Sequence, residues 1–120
     1  MNPEPSVKAN GSGMCLTVQV GGDMDYETAS FFRNRLLEEI TQGQRCVVLD
    51  LSAVSFCDSA GLNVLLMAWR RAGQAGAVLV LACVPPDLQR VLAMTGMDTV
   101  LQTYDTVSEA KNELVVGRGA

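Results

Sequence analysis

Apolar and polar residues alternate from Met14 to Val20, with Leu16, Val18 and Val20 on one side of the pattern. A period of two predicts a half-buried strand. The period then changes. From Glu27 to Thr41, Ala29, Phe32, Leu36 and Ile40 fall on one stripe at helical spacing, with Glu38 and Glu39 outside it. Between these segments, Gly21-Gly22-Asp23-Met24-Asp25 predicts a turn, where Asp25 or Thr28 caps the helix. Gly43 stands where a left-handed residue would end that helix. Val47 to Leu51 is short, apolar and β-branched, as expected of a strand covered on both faces. After a short tight loop, Leu62, Leu65, Leu66 and Trp69 recur at i, i+3, i+4 and i+7 and predict the core face of a second helix, closed by Ala72-Gly73 and Gly76. Ala77 to Ala82 reads as a further apolar strand. Pro85-Pro86-Asp87 opens a short third helix with Leu88, Val91 and Leu92, ending near Gly96. Val100-Leu101 predicts a brief strand, and Thr106 with Glu109 fits a capping box before a last helix, Val107 to Val115.

Apolar strands alternating with helices predict an α/β sandwich of mostly parallel strands joined by right-handed crossovers. Functional loops in such sheets gather at the carboxyl ends of the strands. The Asp23–Asp25 turn, the Cys57–Ser59 loop and the Cys83–Pro86 loop all follow strands. They share one edge if the first helical connection joins parallel strands. The 120 residues make a single domain, expected over 14–116. Residues 1–13 are polar and rich in Pro, Gly and Ser, and predict a flexible tail or a short edge strand near Val7. Residues 117–120 are expected to fray.

Composition narrows the function. Hydrophobic residues make up 48% of the chain, enough for a core without metal or disulfide. The net charge of -4 argues against a nucleic-acid partner, because phosphate binding needs clustered cations and only Arg70-Arg71 pair up. No apolar run approaches the roughly 18 residues that cross a bilayer, and no leader pattern precedes the domain. A cytoplasmic chain is the expectation. Of the four cysteines, Cys15, Cys46, Cys57 and Cys83, none forms a C-x-x-C pair, and the chain has no histidine. A structural zinc site is therefore not expected, and reduced thiols mostly in the core are.

The strand–loop–helix junction at Asp58-Ser59-Ala60-Gly61 is where chemistry would sit. Ser59 on a nucleophile elbow would need glycine two residues before it, where Cys57 stands, and a histidine base, which the chain lacks. Neither G-x-x-x-x-G-K-S/T nor G-x-G-x-x-G occurs, so nucleotide phosphate has no dedicated cradle. Asp23 and Asp25 suit a general acid–base pair or, equally, turn capping. Cys57 lies at a helix amino terminus, which lowers a thiol pKa, although the adjacent carboxylates oppose this; a redox role is open. Cys57 and Cys83 both follow strands, yet disulfide geometry is demanding. No cofactor is implied.

Three segments resemble the anti-sigma factor antagonists of bacterial partner-switching systems, which are single STAS domains. V-L-D-L-S-A-V-S-F-C-D-S-A-G-L (48–62) is similar to their strand and phosphorylation loop. G-D-M-D-Y-E-T-A (22–29) resembles their first turn and helix start, and M-T-G-M-D-T-V-L-Q-T-Y-D-T-V-S-E-A (94–110) their carboxyl-terminal elements. The resemblance implies a mixed, mostly parallel sheet of four to five strands with four helices. It also implies a non-enzymatic switch. Ser59 falls on the phospho-acceptor, and the unphosphorylated chain binds an anti-sigma factor that is also a serine kinase. Phosphorylation ends the binding and a PP2C-type phosphatase restores it. The implied partner surface comprises Asp23, Asp25, Asp58, Ser59, Ala60, Gly61 and Asn63, with Asp23 against the kinase. Cys57 departs from the larger apolar residue of many members. One binding face suits a monomer or weak dimer without membrane insertion. The competing implication is a STAS adaptor of a membrane transport complex or stress-signalling assembly; such members often lack the D-S-A-G serine.

Overall fold

The computed structural model describes residues 4–12, 15–41 and 43–119, with the side chains of Ser12 and of residues 115–119 left aside. Residues 1–3 and 13 of the expected tail, Met14 of the expected first strand, and Ala120 therefore lie outside the described residues. Strands β1 (Ser6–Ser12) and β2 (Cys15–Met24) are followed by helix α1 (Ala29–Glu39), β3 (Cys46–Cys57), α2 (Ser59–Gln74), β4 (Val78–Ala82), α3 (Pro86–Thr95), a 3-10 turn at Met97–Thr99, β5 (Thr103–Tyr104) and α4 (Val107–Gly119). The five strands form one sheet in the order β1-β2-β3-β4-β5. β1 runs antiparallel to β2, and every later pairing is parallel.

The two faces of the sheet bury different elements. Val18, Val20, Val47, Leu49, Leu51, Leu79 and Leu81 pack with Phe32, Leu36, Leu62, Leu65, Leu88 and Leu92 of α1–α3. On the other face, Val48, Val80 and Ala82 meet Ala110 and Leu114 of α4. This is why Val47 to Leu49 is continuously apolar: here the central strand is covered on both faces, and Val47, Val48, Leu49 and, beyond the half-buried Asp50, Leu51 are fully buried.

Several expected boundaries shift, each for a local reason. β1 is a seven-residue strand, held by Val7 in the core and by the Arg35 guanidinium, which donates to the Val7 carbonyl at 3.2 Å. β2 does not break at Gly21-Gly22 but runs on to Met24, in register with Ala53 and Val54 across a bulge. At Gly22 the backbone takes φ +95°, and a Cβ there would stand 2.9 Å from the Glu4 carbonyl oxygen. The glycine admits a neighbouring chain instead of turning its own. β3 likewise continues through Cys57, because β2 accompanies it past the point where β4 ends; β4 pairs only with Cys46–Asp50. Beyond Asp50 the Ser52 N–H is met by the Asp50 carboxylate at 3.0 Å. α1 starts at Ala29 and stops at Glu39, where Ile40 turns to extended backbone; Gly43, at φ +100°, belongs to the turn that follows. On α2 the buried residues are Gly61, Leu62, Val64, Leu65, Ala68 and Ala72, while Leu66 is half-buried and Trp69 is 38% exposed. Val100-Leu101 is no strand: a 3-10 turn precedes it, Leu101 points into the core, and β5 comes later at Thr103–Tyr104. α4 continues to Gly119, past the expected end at Val115, and its start is capped as expected, the Glu109 N–H donating to Thr106 Oγ1 at 3.0 Å.

The cysteines depart most from expectation. Cys15 and Cys46 open β2 and β3 at the same register level, with Cα atoms 4.6 Å apart, and their sulfurs are joined in a disulfide, not held as reduced core thiols. Sequence spacing could not show this, because the two cysteines stand 31 positions apart, at either end of a whole crossover. Cys57 and Cys83 are free and half-buried.

Replacing the fully buried Leu49 by Ala is expected to destabilise the domain by about 2–5 kcal/mol. Chemical denaturation monitored by far-UV circular dichroism measures this, and a loss under 1 kcal/mol would place Leu49 outside the core.

Candidate functional site

Parallel pairing of β2, β3 and β4 brings the Asp23–Asp25 turn, the Cys57–Ser59 junction and the Cys83–Pro86 loop to the carboxyl edge of the sheet, as the strand pattern predicts. The first two are stitched together. Asp23 is the register partner of Phe56, Met24 that of Cys57, and the Asp58 N–H donates to the Met24 carbonyl at 3.1 Å.

The turn after β2 is built by side chains that bond to backbone. Asp25 Oδ1 accepts from the N–H groups of Glu27 and Thr28 at 3.0 and 3.1 Å. Thr28 Oγ1 donates to the Asp23 carbonyl at 2.8 Å and accepts from the Asp25 N–H at 3.0 Å. Asp25 and Thr28 thus close this corner between them, which accounts for Asp25 structurally, but neither side chain caps α1 as expected: Thr28 is its N-cap residue and makes no side-chain cap hydrogen bond. Asp23 is half-buried, and its carboxylate takes no part in these bonds.

At the second loop, Asp58 is the N-cap of α2. Its Oδ1 accepts from the Ala60 N–H at 2.9 Å and the Gly61 N–H at 3.2 Å, satisfying two donors that a helix start leaves open. Ser59, the next residue, is exposed in the first turn. Asn63, four residues on, is exposed on the same side of the helix. Gly61 is buried because α2 begins directly on β2: a Cβ there would meet the Met24 carbonyl oxygen at 2.5 Å and Cys57 Sγ at 2.7 Å. The glycine is thus set by close packing, and it fixes where Ser59 stands.

Cys57 is half-buried beneath this junction. Burial first, and the Asp58 charge second, push its thiol up to about 12. The helix terminus does not make it a thiolate at neutral pH. Burial and the neighbouring Asp50 carboxylate also raise Cys83.

Two hollows flank the start of α2. One, of about 340 Å³, lies between α1 and α2 and is lined by Ala29, Arg33, Ala60, Asn63, Val64 and Met67. The other, of about 330 Å³, runs between the end of β3 (Val54–Cys57) and Pro85–Leu88 with Val91. Exposed aromatics mark the same edge, Tyr26 at 77% and Phe56 at 54%. Sequence reading passed over both. An exposed Phe within S-F-C-D-S was the available signal, had period-two alternation been carried past Leu51. The arrangement is an exposed serine at a helix start with a hollow on either side, one of them lined in part by Arg33 and Asn63, suited to recognition by another protein.

The family profile described as the STAS domain matches residues 6–110. An anti-sigma F factor antagonist of Paenibacillus polymyxa is 32% identical over 103 residues, covering 84% of this chain and 87% of the relative. The crystal structure of an anti-sigma factor antagonist from Mycobacterium paratuberculosis has the same fold, with a TM-score of 0.82 at 23% identity over 92% of this chain and 94% of that one. The anti-sigma factor antagonist SpoIIAA in its unphosphorylated form gives a TM-score of 0.72 at 19% identity, with 96% and 98% of the two chains covered.

Gly61→Ala is expected to cost roughly 1–3 kcal/mol, since the helix start must move off Met24; an unchanged melting temperature would refute the close packing. The native Cys57 thiol is expected to resist iodoacetamide at pH 8. A thiol raised on folding stabilises the fold below its unfolded value near 9.0, and that contribution is lost as pH climbs towards about 12. Rapid native alkylation of Cys57 followed by peptide mass mapping is the contrary result.

Proposed function

The chain belongs to the STAS-domain family, and from that membership we propose that it is an anti-sigma factor antagonist switched by phosphorylation of Ser59. The observation that carries this reading is the exposed Ser59 hydroxyl in the first turn of α2, directly after an aspartate whose carboxylate is occupied in capping. Such a hydroxyl is open to a kinase and has no base beside it with which to act as a nucleophile. The names of the relatives support the antagonist role.

Physical chemistry supplies the switch. A phosphate on Ser59 would add about -1.5 to -2 charge at neutral pH. The Ala60 and Gly61 N–H groups are already held by Asp58, so the new dianion would gain little from the helix start and would stand beside a like charge. It would project outward from an exposed residue, leaving the core untouched. The cost falls on a partner whose surface fits a neutral hydroxyl, because an unpaired charge buried in an interface is expensive. In this reading the unphosphorylated chain binds an anti-sigma factor that is also a serine kinase, and so releases the sigma factor. A PP2C-type phosphatase resets the switch. Asp23, Asp58, Ala60 and Asn63 line the contact surface around Ser59, Asp25 and the buried Gly61 shape it from beneath, and Asp23 faces the kinase. The domain works in the cytoplasm as a binding protein and not as an enzyme, a monomer or weak dimer free of nucleic acid. Among the described residues, no helix is long and apolar enough to cross a membrane.

Ser59→Ala is expected to bind the kinase constitutively, and Ser59→Asp to lose roughly 2–5 kcal/mol of binding. Incubation with the cognate kinase and ATP, followed by mass mapping, tests the site; phosphate taken up by Ser59→Ala would sink the assignment. Asp23→Ala should weaken kinase binding measured by calorimetry while melting stays within about 0.5 kcal/mol of the parent. A large melting drop would make Asp23 a structural residue of the turn.

A further inference from the structure

The Cys15–Cys46 pair lies outside the Ser59 surface and has no part in the mechanism above. Both residues stand at the first position of their strands, β2 and β3. The switch edge lies at the other ends of the same two strands, roughly 30 Å away at about 3.3 Å per residue. The two sulfurs come from directly paired positions, with Cα atoms 4.6 Å apart, inside the span a disulfide bridges without backbone movement. Cys15 is 8% exposed and Cys46 4%. Register on a rigid sheet holds the sulfurs together whether or not they are bonded.

We propose that Cys15 and Cys46 form a reversible, peroxide-responsive staple that sets the stability of the domain without touching the Ser59 surface. In the reduced chain the Cys15 thiolate, the less buried of the two, attacks one oxygen of hydrogen peroxide. An S–O bond forms, the O–O bond breaks, and hydroxide leaves as water once protonated. The Cys46 thiolate then attacks the Cys15 sulfur; the S–S bond forms, the S–O bond breaks, and a second water leaves. Two thiols are thereby oxidised by two electrons and one peroxide is reduced to two waters. Closure ties the start of β2 to the start of β3 around α1 and the Asp23–Thr28 corner, a span of 31 residues. A cross-link of that length restricts the unfolded chain and so raises the stability of the fold. Cys57 and Cys83 stay free in the structure, and the pair that the sheet register brings together is Cys15 with Cys46. Thiols of an intracellular protein are ordinarily reduced, so such a pair there acts as a sensor and not as a permanent bridge.

The test uses the full chain, reduced with dithiothreitol, desalted and divided. One half receives hydrogen peroxide. Both halves are then alkylated in denaturant and weighed intact. Four alkyl groups are expected on the reduced sample and two on the oxidised one, with a peptide linking Cys15 to Cys46 after digestion. The oxidised form is expected to melt higher, by on the order of 10 °C. A second dithiothreitol treatment should restore four alkyl groups and the lower melting point. Cys15→Ala/Cys46→Ala should take up two alkyl groups and melt alike under both conditions. Four alkyl groups after peroxide, a sulfinic acid in place of the bridge, or equal melting of the two forms overturns the proposal. Because none of these readouts involves a partner, they stand or fall apart from the antagonist reading.

Discussion

One backbone hydrogen bond, from the Asp58 N–H to the Met24 carbonyl, fastens the end of β3 to the end of β2. The candidate surface depends on it. With β2 held there, α2 must begin against the Met24 backbone, and only a residue without a side chain fits at Gly61. Asp58 then satisfies the helix start, and Ser59 is the first residue free to face outward. Moving either strand end by one residue would send Ser59 to a different side of the helix start. The exposed serine is in this sense a product of sheet register more than of its own loop.

The same logic separates stability from recognition. α1, α2 and α3 bury a continuous apolar layer on one face of the sheet, while α4 alone covers the central strands on the other. Charged groups stay out of this interior; among the described residues the buried ones are all apolar. Three acids, Asp23, Asp25 and Asp58, stand at the carboxyl edge, and two of them build its corners. Asp25 orders the first turn and Asp58 the second, so both are spent on backbone donors. The Asp23 carboxylate takes no part in either set of bonds.

Much of this was legible in the sequence. The apolar run Val47 to Leu51 announced a central strand, and the 3.6-residue stripes placed α1 and α3. The loss of glycine before the serine and the absence of histidine removed acyl-transfer chemistry from Ser59. The Thr106–Glu109 cap was visible too, because capping is local. What stayed hidden depends on long-range pairing. Gly21-Gly22 reads as a break, yet β3 keeps it in the sheet. The length of β3 beyond Leu51 is decided by β2, not by its own residues, and Trp69 fits the helical template without facing the core. Cys15 and Cys46 meet only because a crossover returns the chain to the same level of the sheet. Family resemblance located Ser59; the fold explained its exposure.

β3 outruns β4 by the stretch after Asp50, and there it has a neighbour on one side only among the described residues. A bare strand edge invites any extended chain to pair with it, the first step towards aggregation. The fold guards this flank with chemistry instead of with another strand. Asp50 takes up the Ser52 donor and plants a carboxylate at the point where pairing would begin. Across the hollow stand Pro85 and Pro86, which have no N–H to offer an incoming strand. The backbone left uncovered here is thereby a poor template for an incoming strand.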